Sequence, residues 1–156
     1  MPSDEQDKAG VVAPPPLIYL GTLVFGLLLN RRFPATFLPP RIARSIGWPL
    51  LSGGVLLGGW FEWALGHAGT PASPYKPVSH VVTEGPFHYT RNPGYLSMTM
   101  IYTGIASLVN ALWAILFLPV ALLMIQRGVI EREERYLERK FGEEYLSYKA
   151  RVRRWI

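Results

Sequence analysis

The sequence predicts an all-α integral membrane protein of about four transmembrane helices, the last two a helical hairpin, with a C-terminal amphipathic helical cap. Three observations predict it. Hydrophobic residues make up 49% of the 156-residue chain, with a mean hydropathy of +0.16. They gather in long runs separated by Pro- and Gly-rich breaks. From about residue 128 the chain turns charged, with apolar residues every three or four positions.

The expected organisation is a polar disordered tail over 1–16, two transmembrane helices within 17–65, and a cytosolic linker and binding loop over 66–95. A transmembrane hairpin over 96–127 and C-terminal catalytic helices over 128–156 complete it. Met1 to Gly10 carries Asp4, Glu5 and Asp7 against Lys8, so it lacks the basic flank of a signal peptide, and the first apolar segment is expected to be retained. The three prolines Pro14, Pro15 and Pro16 suit a helix start. Residues 17–29 follow as a short span, extended by Asn30 and the snorkelling Arg31 and Arg32. Prolines make 33–40 a loop, and 45–65 then supplies about the 20 apolar residues a bilayer core requires. In this second span the pairs Gly53-Gly54 and Gly58-Gly59 favour close approach of another helix, leaving a homodimer open. Glu62, between Trp60 and Trp63, reads as an interfacial carboxylate.

Residues 66–77, rich in Gly, Pro and Ser, form a linker, and 78–83 is a β-branched run suited to extended chain. The apolar stretch 96–127, as one helix, would be about 48 Å long, beyond a core of about 30 Å. It is therefore expected to be two helices, 96–109 and 112–126, turning near Asn110. In the tail Glu131, Glu133 and Glu134 open a helix that Arg139 and Lys140 close, matching the macrodipole, and Phe141-Gly142 ends it before a second helix over 143–151. A stripe of Ile130, Glu134, Leu137, Phe141, Tyr145, Tyr148, Val152 and Trp155 turns Glu134 toward the buried face.

Composition excludes several functions. Without cysteine there is no disulfide, thiolate metal ligand or cysteine nucleophile, and three scattered histidines give no metal site. The net charge of +5 is carried by arginines flanking apolar segments, and no nucleic-acid motif is present. Membrane lipids, rather than nucleic acid, are the expected partners of that charge.

The chain is organised around Gly85-Pro86-Phe87-His88-Tyr89-Thr90-Arg91-Asn92-Pro93-Gly94-Tyr95, between two apolar regions. Its prolines and glycines forbid a continuous helix and free backbone amides, which at a membrane points to a polar cavity. The hairpin brings this stretch to the side where Glu133 and Glu134 emerge. Carboxylates, an arginine and aromatic faces converge there.

These residues carry a resemblance. Gly69-Thr70, Val82-Thr83-Glu84-Gly85-Pro86-Phe87, Arg91-Asn92-Pro93-Gly94-Tyr95, and Glu133-Glu134-Arg135-Tyr136-Leu137 with Phe141-Gly142 and Tyr145 resemble the isoprenylcysteine carboxyl methyltransferase and phospholipid methyltransferase superfamily. The resemblance runs over about 69–156. It implies a small bacterial integral membrane methyltransferase that uses S-adenosylmethionine, releases S-adenosylhomocysteine, and encloses the cofactor between this stretch and the C-terminal helices. It further implies that Ser79, His80, Val81 and Val82 hold the cofactor, and that Phe87 touches it where the family usually has tyrosine. Asn92-Pro93-Gly94-Tyr95 matches the Arg-His-Pro-x-Tyr motif with Asn92 in place of histidine, and Glu133 matches the cofactor-contacting carboxylate. In the isoprenylcysteine enzymes an arginine thought to meet the substrate lies four residues before that glutamate. Val129 stands there, against a prenylcysteine carboxylate.

The residue chemistry suits such a cofactor. Glu133 and Glu134 can meet an ammonium or ribose, and Arg91 with the amides around Gly85 a carboxylate. Phe87, Tyr89 or Tyr95 can face a sulfonium. His80 and His88 are the candidates for a base, should the acceptor arrive protonated. The expected catalytic residues are Arg91, Glu133 and Glu134, with a lipophilic acceptor entering from the membrane. A phospholipid or other amine N-methyltransferase, and a non-catalytic membrane scaffold or lipid-binding protein, are the alternatives. A cytosolic cofactor puts the cap inside a bacterial inner membrane, although Arg31, Arg32, Arg41 and Arg44 then lie outside, against the positive-inside tendency.

Overall fold

A computed structural model of the chain describes residues 9–72 and 75–156. Among them the regular structure is helical, without a strand: α1 (Pro15–Arg32), α2 (Pro40–His67), α3 (Pro93–Val109), α4 (Leu112–Ile125), α5 (Glu131–Phe141) and α6 (Glu143–Arg151). Proline opens α1, α2 and α3, where its missing N–H costs nothing and its fixed φ suits the first turn. A single 3₁₀ turn, Gly85–His88, precedes α3. The run 78–83, expected to be extended, joins no strand.

The hairpin forms where it is expected. Asn110 ends α3 in the left-handed conformation, φ 56° and ψ 44°, which asparagine tolerates better than most residues. Its side chain also secures the other crossing loop: Oδ1 accepts from the Phe37 and Leu38 amides at 3.3 and 3.2 Å, and Nδ2 donates to the Leu38 carbonyl at 2.7 Å. The Leu112 amide donates to the Ala35 carbonyl, and the Trp113 indole to that of Phe33.

α4 and α5 are one continuous helix. A π turn, Gln126–Ile130, joins them, and the whole Leu112–Phe141 helix of 30 residues is long and apolar enough to cross a membrane. Among the described residues no other helix passes that measure. α3 has 17 residues, α1 carries Arg31 and Arg32 in its last turn, and α2 dilutes its apolar residues with glycines.

α3 is the central element, packed on α1, α2 and α4. Its contact with α2 is close because glycines face it. A Cβ on Gly104 would stand 2.6 Å from the Leu51 backbone nitrogen, and one on Gly54 2.9 Å from that of Ile101. Gly47 and Gly58 continue this seam against Leu108 and Ser97, and the Ser97 hydroxyl donates to the Gly54 carbonyl at 2.8 Å. The close approach expected of the second span is thus made within the chain. Gly26 of α1 likewise meets Ala114 of α4. Tyr102, Ile125, Val129 and Ile130 fill the interior. The outer faces of α1, α2 and α4 expose Leu17, Leu20, Leu28, Val55, Leu56, Leu116 and Leu123.

The second half of the expected disordered tail is packed. The Val12 amide donates to the Gly128 carbonyl at 3.2 Å, Arg132 Nη1 donates to the Gly10 carbonyl at 2.8 Å, and Ala9 is buried. Val11 and Ala13 lie against the core, so apolar burial draws in a segment whose acidic beginning reads as solvated. Residues 1–8, and Ser73 and Pro74 of the expected linker, lie outside the described residues.

Gly104→Ala pushes a methyl into the α2 backbone and is expected to destabilise by about 1–3 kcal/mol, read as a lower melting temperature in detergent. Gly59→Ala, with nothing within 4 Å of the added carbon, leaves the melting temperature unchanged or slightly raised.

Candidate active site

The loop from Thr70 to Tyr95, the starts of α1 and α3, the end of α2, and α5 with α6 enclose a cavity of about 490 Å³. That lies within the range of about 300–1,000 Å³ typical of small-molecule sites. Its two sides differ in chemistry. Ala9 and Pro14 to Pro16, with Phe61, Leu65 and Met98, give apolar wall, whereas Arg91, Asn92, Glu133, Tyr136, Tyr145 and Tyr148 give polar groups.

Glycine shapes the loop at two positions. Gly85 adopts φ +61°, closed to most side chains, and lies against Trp60 and Ala64 of α2. At Gly94 a Cβ would stand 3.0 Å from the Phe61 ring, so glycine lets that ring close over the start of α3. Phe61 in turn packs against Phe87, centroids 5.8 Å apart.

Backbone and side-chain bonds fasten the loop to the C-terminal segment. The Arg91 amide donates to the Arg153 carbonyl at 3.0 Å. The Arg154 carbonyl accepts from the Thr90 hydroxyl at 3.2 Å and from Asn92 Nδ2 at 2.9 Å. The Tyr148 hydroxyl donates to the Phe87 carbonyl at 2.7 Å, and the Val78 amide to the Tyr136 hydroxyl at 3.3 Å.

The two glutamates have separate fates. Glu134 is buried, and Arg154 grips it bidentately, Nε to Oε1 at 2.9 Å and Nη2 to Oε2 at 2.8 Å. Arg91 Nη1 lies 3.1 Å from the same Oε1, and Lys149 Nζ 3.8 Å from Oε2. Expected as a catalytic group, Glu134 is engaged as the centre of an ion cluster. Its partners are these distant residues rather than helix neighbours such as Arg132, which is turned to Gly10.

Glu133 stands in the cavity wall and accepts from the Tyr95 hydroxyl at 2.8 Å. The apolar part of the long helix ends near Gln126, and Glu133 stands in the charged segment beyond it. Burial pushes its carboxyl up to about 7; the Tyr95 bond opposes this and the Glu134 charge adds to it. Burial likewise pushes the Tyr145 hydroxyl up to about 12 and raises that of Tyr148, so both remain donors at neutral pH.

Arg91 combines burial with unused capacity. Its side chain is 9% exposed, yet Nε and Nη1 find no hydrogen-bond acceptor, the contact with Glu134 being an ion pair without hydrogen-bond alignment. A buried guanidinium in a cavity wall with idle donors is suited to an anion entering the cavity.

Of the residues singled out from sequence, His80, Val81, Val82, Phe87, Arg91, Asn92, Pro93, Gly94, Tyr95, Glu133 and Glu134 line the cavity. Four lie apart from it, among them the base candidate His88, which is exposed. Ser79 shares a 2.9 Å hydrogen bond with Thr70, Gly85 turns the loop behind the wall, and Tyr89 is 69% exposed beside Trp60 and His88. Sequence reasoning did not assign Arg154, Tyr136 or Tyr148 to the site, nor the proline run of α1. Val129, four positions before Glu133, is fully buried in the core. Among the described residues no cluster of potential metal ligands occurs.

Comparison with known proteins agrees with the resemblance. A protein from Haemophilus influenzae described as uncharacterized is 42% identical over 62 residues, covering 40% of this chain and 98% of that protein. No solved structure matches. A family model for phospholipid methyltransferases, membrane-bound enzymes that use S-adenosylmethionine, matches residues 42–144, well over half of the chain. The chain belongs to the phospholipid methyltransferase family.

Proposed function

We propose that the protein is an integral membrane methyltransferase that transfers the methyl group of S-adenosylmethionine to a lipophilic acceptor entering from the bilayer. The observation that carries the reading is the pairing, in one cavity, of a buried arginine with idle donors and a half-buried glutamate held by a tyrosine hydroxyl. These two groups fit the opposite charges of an α-amino acid, and the cofactor has such an end. Volume, the Phe87 and Tyr95 rings and the carboxylate supply the rest of the fit.

When bound, S-adenosylmethionine supplies an electrophilic methyl on a sulfonium. The chain's own residues do the remaining work. Arg91 holds the carboxylate through Nε and Nη1, and Glu133 takes the ammonium. Tyr95 fixes the rotamer of Glu133 by donating to it. The aromatic rings favour a cation near their faces, and the dry walls of Phe61, Leu65 and Met98 exclude water, so that transfer depends on contact between donor and acceptor. Arg154 and Lys149 are occupied by Glu134 and Glu138, which leaves Lys76 as the further lysine or arginine in the described cavity wall.

The exposed apolar faces of α1, α2 and α4 support a four-span arrangement, as does the hairpin that returns the chain to the cavity side. On this reading 17–65 and 96–127 are the spanning units, and 66–95 with 128–156 forms a cytosolic cap that binds the cofactor. The acceptor enters between the start of α1 and the end of α2, whose Pro14 to Pro16, Phe61 and Leu65 line the cavity.

Calorimetric titration of the detergent-solubilised protein with S-adenosylhomocysteine tests the reading. Binding is expected, and Glu133→Ala should weaken it by about 10–150-fold, the equivalent of about 1.5–3 kcal/mol for a hydrogen bond to a charged group. A folded wild type that does not bind would refute the reading.

The raised pKa of Glu133 sets a pH dependence. In the free protein the carboxyl is protonated below about 7, and an ammonium requires the ionised form. Affinity is therefore expected to fall by up to about tenfold per pH unit below that value and to level off above it. In Glu133→Gln the profile over pH 6 to 8 should be weak and flat.

A further inference from the structure

Two arginines approach one carboxylate. Glu134 is 8% exposed on its side chain, so its charge needs partners inside the protein. Arg154 meets both oxygens in a fork at 2.9 and 2.8 Å, the geometry in which a guanidinium binds a carboxylate most completely. Toward Glu134 Arg91 keeps one unaligned contact at 3.1 Å, and it shares a side-chain hydrogen bond with Tyr145, while its Nε and Nη1 are without hydrogen-bond acceptors although the side chain is buried. The lopsided division decides which arginine remains available.

We infer that Arg154 is a positioning residue: by saturating Glu134 it keeps Nε and Nη1 of Arg91 without hydrogen-bond acceptors and available to the carboxylate of a ligand in the cavity. Without the Arg154 side chain, Glu134 is left buried with Arg91 as its nearest cation, since Lys149 is farther, at 3.8 Å, and is shared with Glu138. Arg91 is then drawn into a full pair and lost to the cavity. The main chain holds the arrangement from both sides. The Arg153 carbonyl accepts from the Arg91 amide, and the Arg154 carbonyl from Thr90 and Asn92, which flank Arg91. A side-chain substitution at 154 leaves these bonds in place, so the charge effect is separable from the anchoring. Position 154 lies beyond residues 42–144, outside the family match.

The inference rests on the proposed cofactor reading, and two ligands separate them. S-adenosylhomocysteine carries the carboxylate; 5′-methylthioadenosine lacks it. Both are titrated calorimetrically into the full chain in detergent, for wild type, Arg154→Ala, and Arg154→Ala combined with Glu134→Gln. Arg154→Ala is expected to weaken S-adenosylhomocysteine by about tenfold or more and methylthioadenosine by less than about twofold. The double variant, with no charge at 134 to capture Arg91, is expected to return to within about threefold of wild type. Should Arg154→Ala fail to fold, Arg154→Lys, with a single ammonium in place of the planar fork, carries the same comparison with a smaller loss.

Equal losses for the two ligands, or a double variant no tighter than the single one, would overturn the positioning role in favour of general structural support. So would wild-type affinity in Arg154→Ala. A wild type that binds neither ligand would overturn the cofactor reading, and this inference with it.

Discussion

The buried carboxylate of Glu134 is the constraint on which the cavity depends. It draws together α5, the loop before α3 and the segment after α6, because a charge so enclosed is tolerable only when surrounded by cations. Removing one partner from a buried pair typically costs about 3–5 kcal/mol, much of it the stranding of the other. That penalty does not make the cluster a large net source of stability. It makes alternative arrangements of the three segments costly, so they meet in one register, with Glu133 one position away facing the cavity.

Beneath this cluster the bundle relies on shape rather than charge. In a membrane no hydrophobic drive separates helix from lipid, and close backbone approach has to supply the attraction. The seam of Gly47, Gly54 and Gly104 provides it between α2 and α3. The ends of those two helices form part of the cavity wall, so this packing also carries the position of Phe61 over Gly94. The π turn at Gln126–Ile130 joins the apolar α4 to the charged α5 without a break, and such turns are frequent at functional sites.

Much of this was legible in the sequence where local chemistry decides. The turn at Asn110, the break at Gly142 with φ +51°, and the Pro-led helix starts follow from residues with few conformational options. The cavity-lining loop was legible because prolines and glycines forbid helix beside apolar runs. Long-range choices were not. Nothing near Glu134 reveals that Arg154, twenty positions on, would take it, since charged helices offer nearer candidates in Arg132 and Arg135. The packing of Ala9 to Ala13 was masked by the acidic residues before it. The glycine pairs announced a close contact without naming the partner, because a small face fits a neighbour in the same chain as well as one in another.

Asn110 carries a mechanical consequence. One side chain ties the α3–α4 turn to the loop between α1 and α2, with Leu112 and Trp113 adding bonds to the same loop. That end of the bundle is a rivet. The cavity lies at the other end of α3, about 25 Å away for a helix of 17 residues at 1.5 Å each. The cavity end is fastened too, where the Tyr19 hydroxyl of α1 meets the Tyr95 carbonyl and the Thr99 hydroxyl of α3, and Phe61 of α2 lies over Gly94. With a rivet at one end and these contacts at the other, the prolines of α1 and the aromatic residues of α2 that line the cavity are held in a fixed frame, and its shape is set by the bundle rather than by the loop alone.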